Sequence, residues 1–147
     1  CQCIMGNEFM RGLTEEGGGK SVFQRCNRIG QNAWNILNTA INNTHPDQRI
    51  YILSHIEEVE GKTKIKTMGK MLDEKIVLEG MVTIVLQTTI RNGEHYFMTK
   101  NDGTTTVKTP HEMFTSELIP NDLNAVDDAI CDFYGIAKNP NQQAQTA

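Results

Sequence analysis

Three groups of residues have types and spacings suited to chemistry on anions. Ser54 and His55 follow the apolar run Arg49-Ile50-Tyr51-Ile52-Leu53. In open α/β sheets, ligands collect beyond the carboxyl ends of strands, so a hydroxyl and an imidazole there are placed to hydrogen-bond a bound oxyanion. The plain alternative is a pair that satisfies backbone groups at a strand end. Lys62, Lys64 and Lys66 alternate with Thr63 and Ile65, which in an extended segment lines three ammonium groups along one face. Such a row suits sequence-independent contact with nucleic-acid phosphates. It equally suits a solvated face: Glu57, Glu58 and Glu60 lie beside it, and no aromatic residue interleaves with the lysines to stack bases. Lys66, Lys70 and Lys75 surround Gly69, and positive charge on such a turn stabilises charge on a transferring phosphoryl group.

Other motifs carry less. Gly19-Lys20-Ser21 resembles the end of a phosphate-binding loop, but the first glycine of that pattern falls on Thr14. Glu15 and Glu16 would repel phosphate, and the segment before them reads as a helix rather than the strand a P-loop follows. A flexible connector through Gly17, Gly18 and Gly19 is the expectation. Thr99 to Pro110 holds Lys100, Asn101, Asp102, Gly103 and Lys108, a set that fits either the rim of a nucleotide site or two turns of a β-meander. Asp127 and Asp128 are adjacent on a helix and face different directions, so they make no acid/base pair. Cys1, Cys3, Cys26 and Cys131 lack the spacing of a zinc site. Reduced, structural thiols and no metal are expected.

The elements that must position these residues follow from periodicity. A short helix is predicted from Asn7 to Leu13. A longer one is predicted from Ser21 to Asn42, with Val22, Phe23, Cys26, Ile29, Ala33, Ile36, Leu37, Ala40 and Ile41 on one stripe and Trp34 extending it. Arg49 to Leu53 reads as a strand buried on both faces, as in a parallel sheet. Glu57 to Lys66, charged and interrupted by Gly61, reads as an exposed loop, and Thr67 to Leu72 as one or two helical turns. A strand region runs from Gly80 to Ile90, Asn92-Gly93 is a hairpin signal, and His95 to Thr99 returns as the partner. Thr104 to Val107 reads as a further strand. A last helix begins near Pro120, capped by Asn121 or Asp122, with Leu123, Val126, Ile130, Phe133 and Tyr134 as its apolar face. Residues 138–147 read as a disordered tail.

The bulk numbers agree with a globular domain. The 147 residues suit one domain, and 38% hydrophobic with 22% charged residues argues against disorder. A net charge of −4 gives no global affinity for nucleic acid, only the chance of a local basic patch. No apolar run reaches bilayer length and no secretory signal is visible, so no membrane association is expected. The first residue is Cys1 rather than Met, which suggests a fragment, a processed product or a truncated reading frame.

From Ile4 to Tyr134 the chain resembles phage-encoded RecA-like P-loop ATPases linked to recombination and single-strand annealing. The segments that carry the resemblance occur in order. Ile4 to Arg11 is similar to the helix after the Walker B strand. Ile50 to Glu58 is similar to the next sheet strand and its polar end. Lys66 to Lys75 is the most distinctive block. Phe97 to Gly103, Val107 to Pro110 and Ile119 to Leu123 follow. The family's Walker A loop and Walker B aspartate do not occur in these residues. The resemblance implies an α/β fold: an incomplete RecA-like core over residues 1–137, with a mixed sheet, an antiparallel β-meander and flanking helices. It implies a sensor role for Ser54 and His55 toward the γ-phosphate, nucleotide contacts for Lys70 and Lys108, and DNA contacts for Lys62, Lys64 and Lys66. It further implies ATP and Mg2+ as cofactors of the complete protein, a homo-oligomer, single-stranded DNA as a partner, and the cytoplasm of a phage-infected bacterium. A sheet lacking its early strands exposes an edge, so self-association is expected. The alternative is a non-catalytic oligomerisation or DNA-interaction module derived from the same fold.

Overall fold

The first long element is a helix, α1 (Val22–Asn42), as the apolar spacing predicts. Among its described side chains the buried ones are Ile29, Ala33 and Leu37, a row of four-residue steps along one face. Trp34 and Ile36 do not extend that row. Each is one residue from a buried position, about 100° around the helix, and they are 44% and 47% exposed. The helix ends where Asn42 Nδ2 donates to the Asn38 carbonyl at 3.0 Å and the Asn43 amide donates to the Thr39 carbonyl at 2.9 Å.

The computed structural model describes residues 6–7, 10–11, 22–43, 45, 48–66 and 77–138, leaving aside the side chains of Val22, Phe23, Arg25 and Cys26. Asn7, Met10 and Arg11 are helical, within the predicted first helix. The glycine connector, the turns expected over 67–72 and residues 139–147 of the tail lie outside the described residues, as do Lys20, Lys70, Lys75, Cys1 and Cys3.

Two compact units account for the chain: Cys1–Val82 with Asp102–Thr106, and Thr83–Asn101 with Val107–Ala147. The first contains α1, a hairpin of β1 (Ile56–Val59) and β2 (Lys62–Ile65), and the short helix α2 (Leu78–Met81). The second contains a three-stranded sheet of β3 (Gln87–Arg91), β4 (Glu94–Met98) and β5 (Leu118–Pro120), followed by α3 (Leu123–Tyr134). The chain is thus a small α/β fold with two antiparallel sheets and, among the described residues, three helices.

The second unit follows its sequence signals closely. Asn92 and Gly93 have φ of 53° and 83°, the left-handed pair of a two-residue hairpin turn whose twist matches the strands it joins. That turn sets the register, pairing Arg91 with Glu94 and Gln87 with Met98. β5 pairs with β4 on its other side, and Pro120 is tolerated because β5 is an edge strand. The core forms from Phe97, Met113, Phe114 and Val126, with Ile119 and Ile130 packed against them. Asp122 caps α3, its carboxylate accepting from the Asn124 amide at 2.8 Å. The helix ends at Gly135, where the Ile136 amide turns back to the Cys131 carbonyl at 2.9 Å. Cys131 is a buried free thiol. Beyond α3, Lys138 reaches back to Asp128 and Asp132, each at 3.1 Å.

Several expected elements differ. Residues 49–53 form no strand, and Ile50, Ile52 and Leu53 are exposed; a continuous apolar run without alternation does not by itself specify a pairing partner. Every strand pair among the described residues is antiparallel, so the parallel member of the expected mixed sheet is not among them. The charged stretch from Glu57 to Lys66, expected as an exposed loop, lies almost wholly in the β1–β2 hairpin, whose strands run Ile56–Val59 and Lys62–Ile65. Gly80 belongs to α2, and the strand expected from there begins only at Gln87. Thr104 to Val107 forms no strand; the neighbouring Lys108 makes an isolated bridge with Val85.

Candidate nucleic-acid interface

The β1–β2 hairpin turns on Glu60 and Gly61, with φ of 52° and 76°. Two consecutive left-handed residues between strands again define a tight hairpin, and the glycine takes the second position without steric cost. The turn aligns Val59 with Lys62, Glu58 with Thr63, Glu57 with Lys64 and Ile56 with Ile65. The Lys66 amide donates to the His55 carbonyl at 2.8 Å, which adds one more paired position beyond the strands.

Directly opposed residues in an antiparallel pair share a face. Lys62 and Lys64 therefore lie on the same face as Val59 and Glu57, while Ile56, Glu58, Thr63 and Ile65 share the other. Lys64 Nζ lies 3.5 Å from Glu57 Oε1. Lys62 and Lys66 are exposed.

The outer edge of β2 is closed by distant segments. The Thr63 amide donates to the Thr104 carbonyl at 2.7 Å, and the Thr63 hydroxyl approaches the same oxygen at 3.3 Å. The Ile65 amide donates to Glu79 Oε1 at 2.8 Å. An open edge would present these amides to other chains, so both contacts blunt it. Thr104 is itself fixed by Asp102, whose Oδ1 accepts from the Thr104 amide at 2.9 Å and from its hydroxyl at 2.7 Å. Those bonds, the hydroxyl first and then the amide, hold the Asp102 carboxyl below its ordinary value.

Ser54 and His55 therefore sit at the base of the hairpin that carries the lysines. The Ser54 hydroxyl oxygen is shielded from solvent and has no hydrogen-bond partner among the described residues, whereas His55 is exposed. Lys108 belongs to the second unit, half-buried, its amide donating to the Val85 carbonyl at 3.0 Å. Nearby polar groups of that unit are engaged internally: the Thr99 hydroxyl donates to the Ser116 carbonyl at 2.5 Å and the Thr109 hydroxyl to the Thr99 carbonyl at 3.0 Å.

The chain matches no protein-family model, no curated protein and no solved structure.

Among the described residues no group of three or more His, Cys, Asp or Glu side chains is gathered that could hold a metal ion. Nor is any helix among them long and apolar enough to cross a membrane. The hairpin offers a short basic face with the exposed His55 imidazole at its base, which suits charge contacts to phosphate oxygens. Glu57, Thr104 and Glu79 were not singled out from sequence as parts of this arrangement. The Glu57–Lys64 contact follows from the register of the Glu60-Gly61 turn, which the loop reading of 57–66 did not contain; Glu79 and Thr104 had no local signal.

Proposed function

We propose that these residues are the C-terminal portion of an ATP-binding, RecA-like phage recombination ATPase, and that the β1–β2 hairpin is its contact with single-stranded DNA. Lys62, Lys64 and Lys66 supply the phosphate contacts, and Ser54 and His55 act as the sensor of bound nucleotide. What supports this most is the His55–Lys66 backbone hydrogen bond. It makes the candidate sensor and the candidate DNA contact two positions of one hydrogen-bonded ladder, so a shift at one end is transmitted to the other through backbone rather than flexible side chains. The Ser54 hydroxyl, without a partner among the described residues, is a group whose hydrogen bonding would change when the ladder moves.

ATP and Mg2+ are assigned to the complete ATPase, working as a homo-oligomer in the cytoplasm of an infected bacterium. Among the described residues no carboxylate cluster is gathered that could hold the metal. Lys70 and Lys108 are the residues of this chain proposed to approach nucleotide phosphates. A non-catalytic DNA-interaction module is the second reading. It is favoured by the hairpin being closed on its outer edge by residues of this chain alone, Thr104 and Glu79.

The test compares these 147 residues with a chain extended upstream to include a phosphate-binding loop. The extended chain is expected to bind ATP and to hydrolyse it faster with oligothymidine. His55→Ala should remove most of that stimulation while leaving ATP affinity within about twofold, because a sensor acts after binding. ATP binding by neither chain, with oligothymidine binding retained, would favour the second reading. Tight ATP binding by the short chain, lost in Lys20→Ala, would overturn both the family assignment and the placement of the site.

A further inference from the structure

The free edge of β3 carries outward main-chain groups that the sheet does not use. The direction of β4 settles which groups these are. The Thr99 amide donates to the Glu117 carbonyl at 2.9 Å and the Asn121 amide to the His95 carbonyl at 3.3 Å, so His95, Phe97 and Thr99 turn their main chain toward β5. Glu94, Tyr96 and Met98 turn theirs toward β3, where they oppose Arg91, Thr89 and Gln87. Thr88 and Ile90 alternate with these, so their amides and carbonyls point away from the sheet. Among the described residues no strand pairs with β3 on that side. Both residues are exposed; Ile90 shares the face of the core residue Phe97 and is nonetheless 60% exposed. Other edges are blunted. Thr104 and Glu79 take the outer amides of β2, and β5 ends in Pro120, which has no amide to offer. β3 reads Gln-Thr-Thr-Ile-Arg in unbroken register, without the lysine, proline or bulge that protects an edge, and its β-branched Thr88, Thr89 and Ile90 favour extended backbone.

We propose that this edge pairs with the β3 edge of a second copy of the chain, antiparallel and about a two-fold axis at Thr89, joining the two sheets into one. The register follows from the outward groups. Thr88 faces the second copy's Ile90 and Ile90 faces its Thr88, so every outward amide meets an outward carbonyl. An axis at Thr88 would set Ile90 against Leu86, and an axis at Ile90 would set Thr88 against Asn92, both outside the strand. Charge agrees with the axis at Thr89: Arg91 falls beside the second copy's Gln87 rather than its Arg91, and Thr88 covers the exposed Ile90 as a cross-strand neighbour. The edge of β1 does not admit the same self-pairing, because Ile56 against Glu58 would set Glu57 directly against Glu57, like charge on like charge. The contact gives an interface to the homo-oligomer of the ATPase reading and to that extent rests on it, but the pairing itself uses neither nucleotide nor DNA.

The experiment follows the full chain by sedimentation velocity over a range of concentrations, without nucleotide or DNA. A reversible monomer–dimer equilibrium is expected. Thr88→Pro removes an outward amide while the β3–β4 ladder keeps its bonds, so circular dichroism should be unchanged. The dimer should weaken at least about tenfold, because one amide of each copy stops donating. Ile90→Lys alters only a side chain and should also weaken the dimer; it carries the test if the proline disturbs the fold. Thr89→Cys places a thiol on the axis, where opposed Cα atoms lie about 4.5 Å apart, within reach of a disulfide. With oxidised glutathione that variant should cross-link to a dimer, and Ile90→Cys should cross-link no more than the unsubstituted chain. A dimer insensitive to Thr88→Pro and Ile90→Lys would overturn the β3 contact and leave the homo-oligomer to another surface. Cross-linking of Thr89→Cys no greater than that of Ile90→Cys would overturn the register and the two-fold pairing with it. A monomer at every concentration would overturn the self-pairing and the homo-oligomer of these residues together, leaving the edge to an extended segment of another protein.

Discussion

The amide of Lys66 and the carbonyl of His55 are 2.8 Å apart, and through that bond the residue proposed to sense nucleotide is in register with the residue proposed to touch DNA. Side-chain truncation leaves such a bond in place; loss of the amide does not. Lys66→Pro is therefore expected to fray the base of the hairpin, and Lys66→Ala is not. Hydrogen exchange should show faster exchange at Lys64 in the proline variant alone, and oligothymidine affinity should fall further in it than in the alanine variant.

Glu79 tests whether the β2 edge needs its distant cap. Its carboxylate accepts from the part-buried Ile65 amide at 2.8 Å, and hydrogen bonds to charged groups contribute about 1.5–3 kcal/mol. Glu79→Ala should lower stability toward the bottom of that range, because Ile65 is only half-buried and water can replace part of the bond. Glu79→Gln, which keeps an acceptor oxygen, should lose less. Urea unfolding, with exchange at the Ile65 amide as the local readout, distinguishes the two.

Gly61 and Gly93 predict a matched pair of turn effects. A Cβ added at either meets nothing within 4 Å, and φ is +76° and +83°, so the penalty of alanine is conformational alone. It should be about 1–2 kcal/mol at each position. Only Gly61→Ala should also weaken oligothymidine binding, because only that turn belongs to the lysine-bearing hairpin.

Within the second unit, Phe97 is buried in the cluster with Met113, Phe114 and Val126. Phe97→Ala should cost about 3–5 kcal/mol, whereas Thr88→Ala on the exposed part of the neighbouring strand should stay within about 0.5 kcal/mol. Denaturant unfolding followed by tryptophan fluorescence would miss this unit, since the single tryptophan, Trp34, lies in α1. Circular dichroism is the appropriate probe.

The Asp102 carboxyl is held below its ordinary value of 3.8 by its bonds to Thr104. The folded-state value is depressed, so the contribution is fully present above the unfolded value and is lost as pH falls through the folded one. The Thr104 amide resonance should therefore shift with a midpoint below 3.8, and the Thr63–Thr104 contact should loosen in the same window. Asp102→Asn should remove that acid transition.

The sequence was most readable where a backbone demand is strict and local. Asn92-Gly93 admits few conformations and fixed β3–β4, and a cap at Asn121 or Asp122 and a helix stripe that includes Ile29, Ala33 and Leu37 were visible from short-range pattern alone. The β1–β2 strands were not, because Glu and Lys at most positions of 57–66 look like solvent-facing loop. Glu60-Gly61 adopts the same left-handed pair as Asn92-Gly93, but Glu at the first turn position does not mark a hairpin in sequence as Asn does. β5 is three residues long and ends in Pro120, too short to outweigh the helix signal that follows it. Of the candidate site, Ser54, His55 and the three lysines were legible as neighbours in sequence. The groups that close the edge, Glu79 and Thr104, lie 14 and 41 residues from their partners, and no periodicity reports a contact at that distance.

The Thr63–Thr104 pair also orders events in time. A chain leaving the ribosome at roughly 5–20 residues per second exposes Thr63 some seconds before the carbonyl that covers it is made. During that interval the β2 edge is open to any passing strand, including that of a nascent neighbour on the same message. The hairpin can form early and Glu79 can cover the Ile65 amide soon after, but its protection against mispairing is completed only with the turn built by Asp102 and Gly103, so slow translation between these two points is where misassembly of this protein would begin.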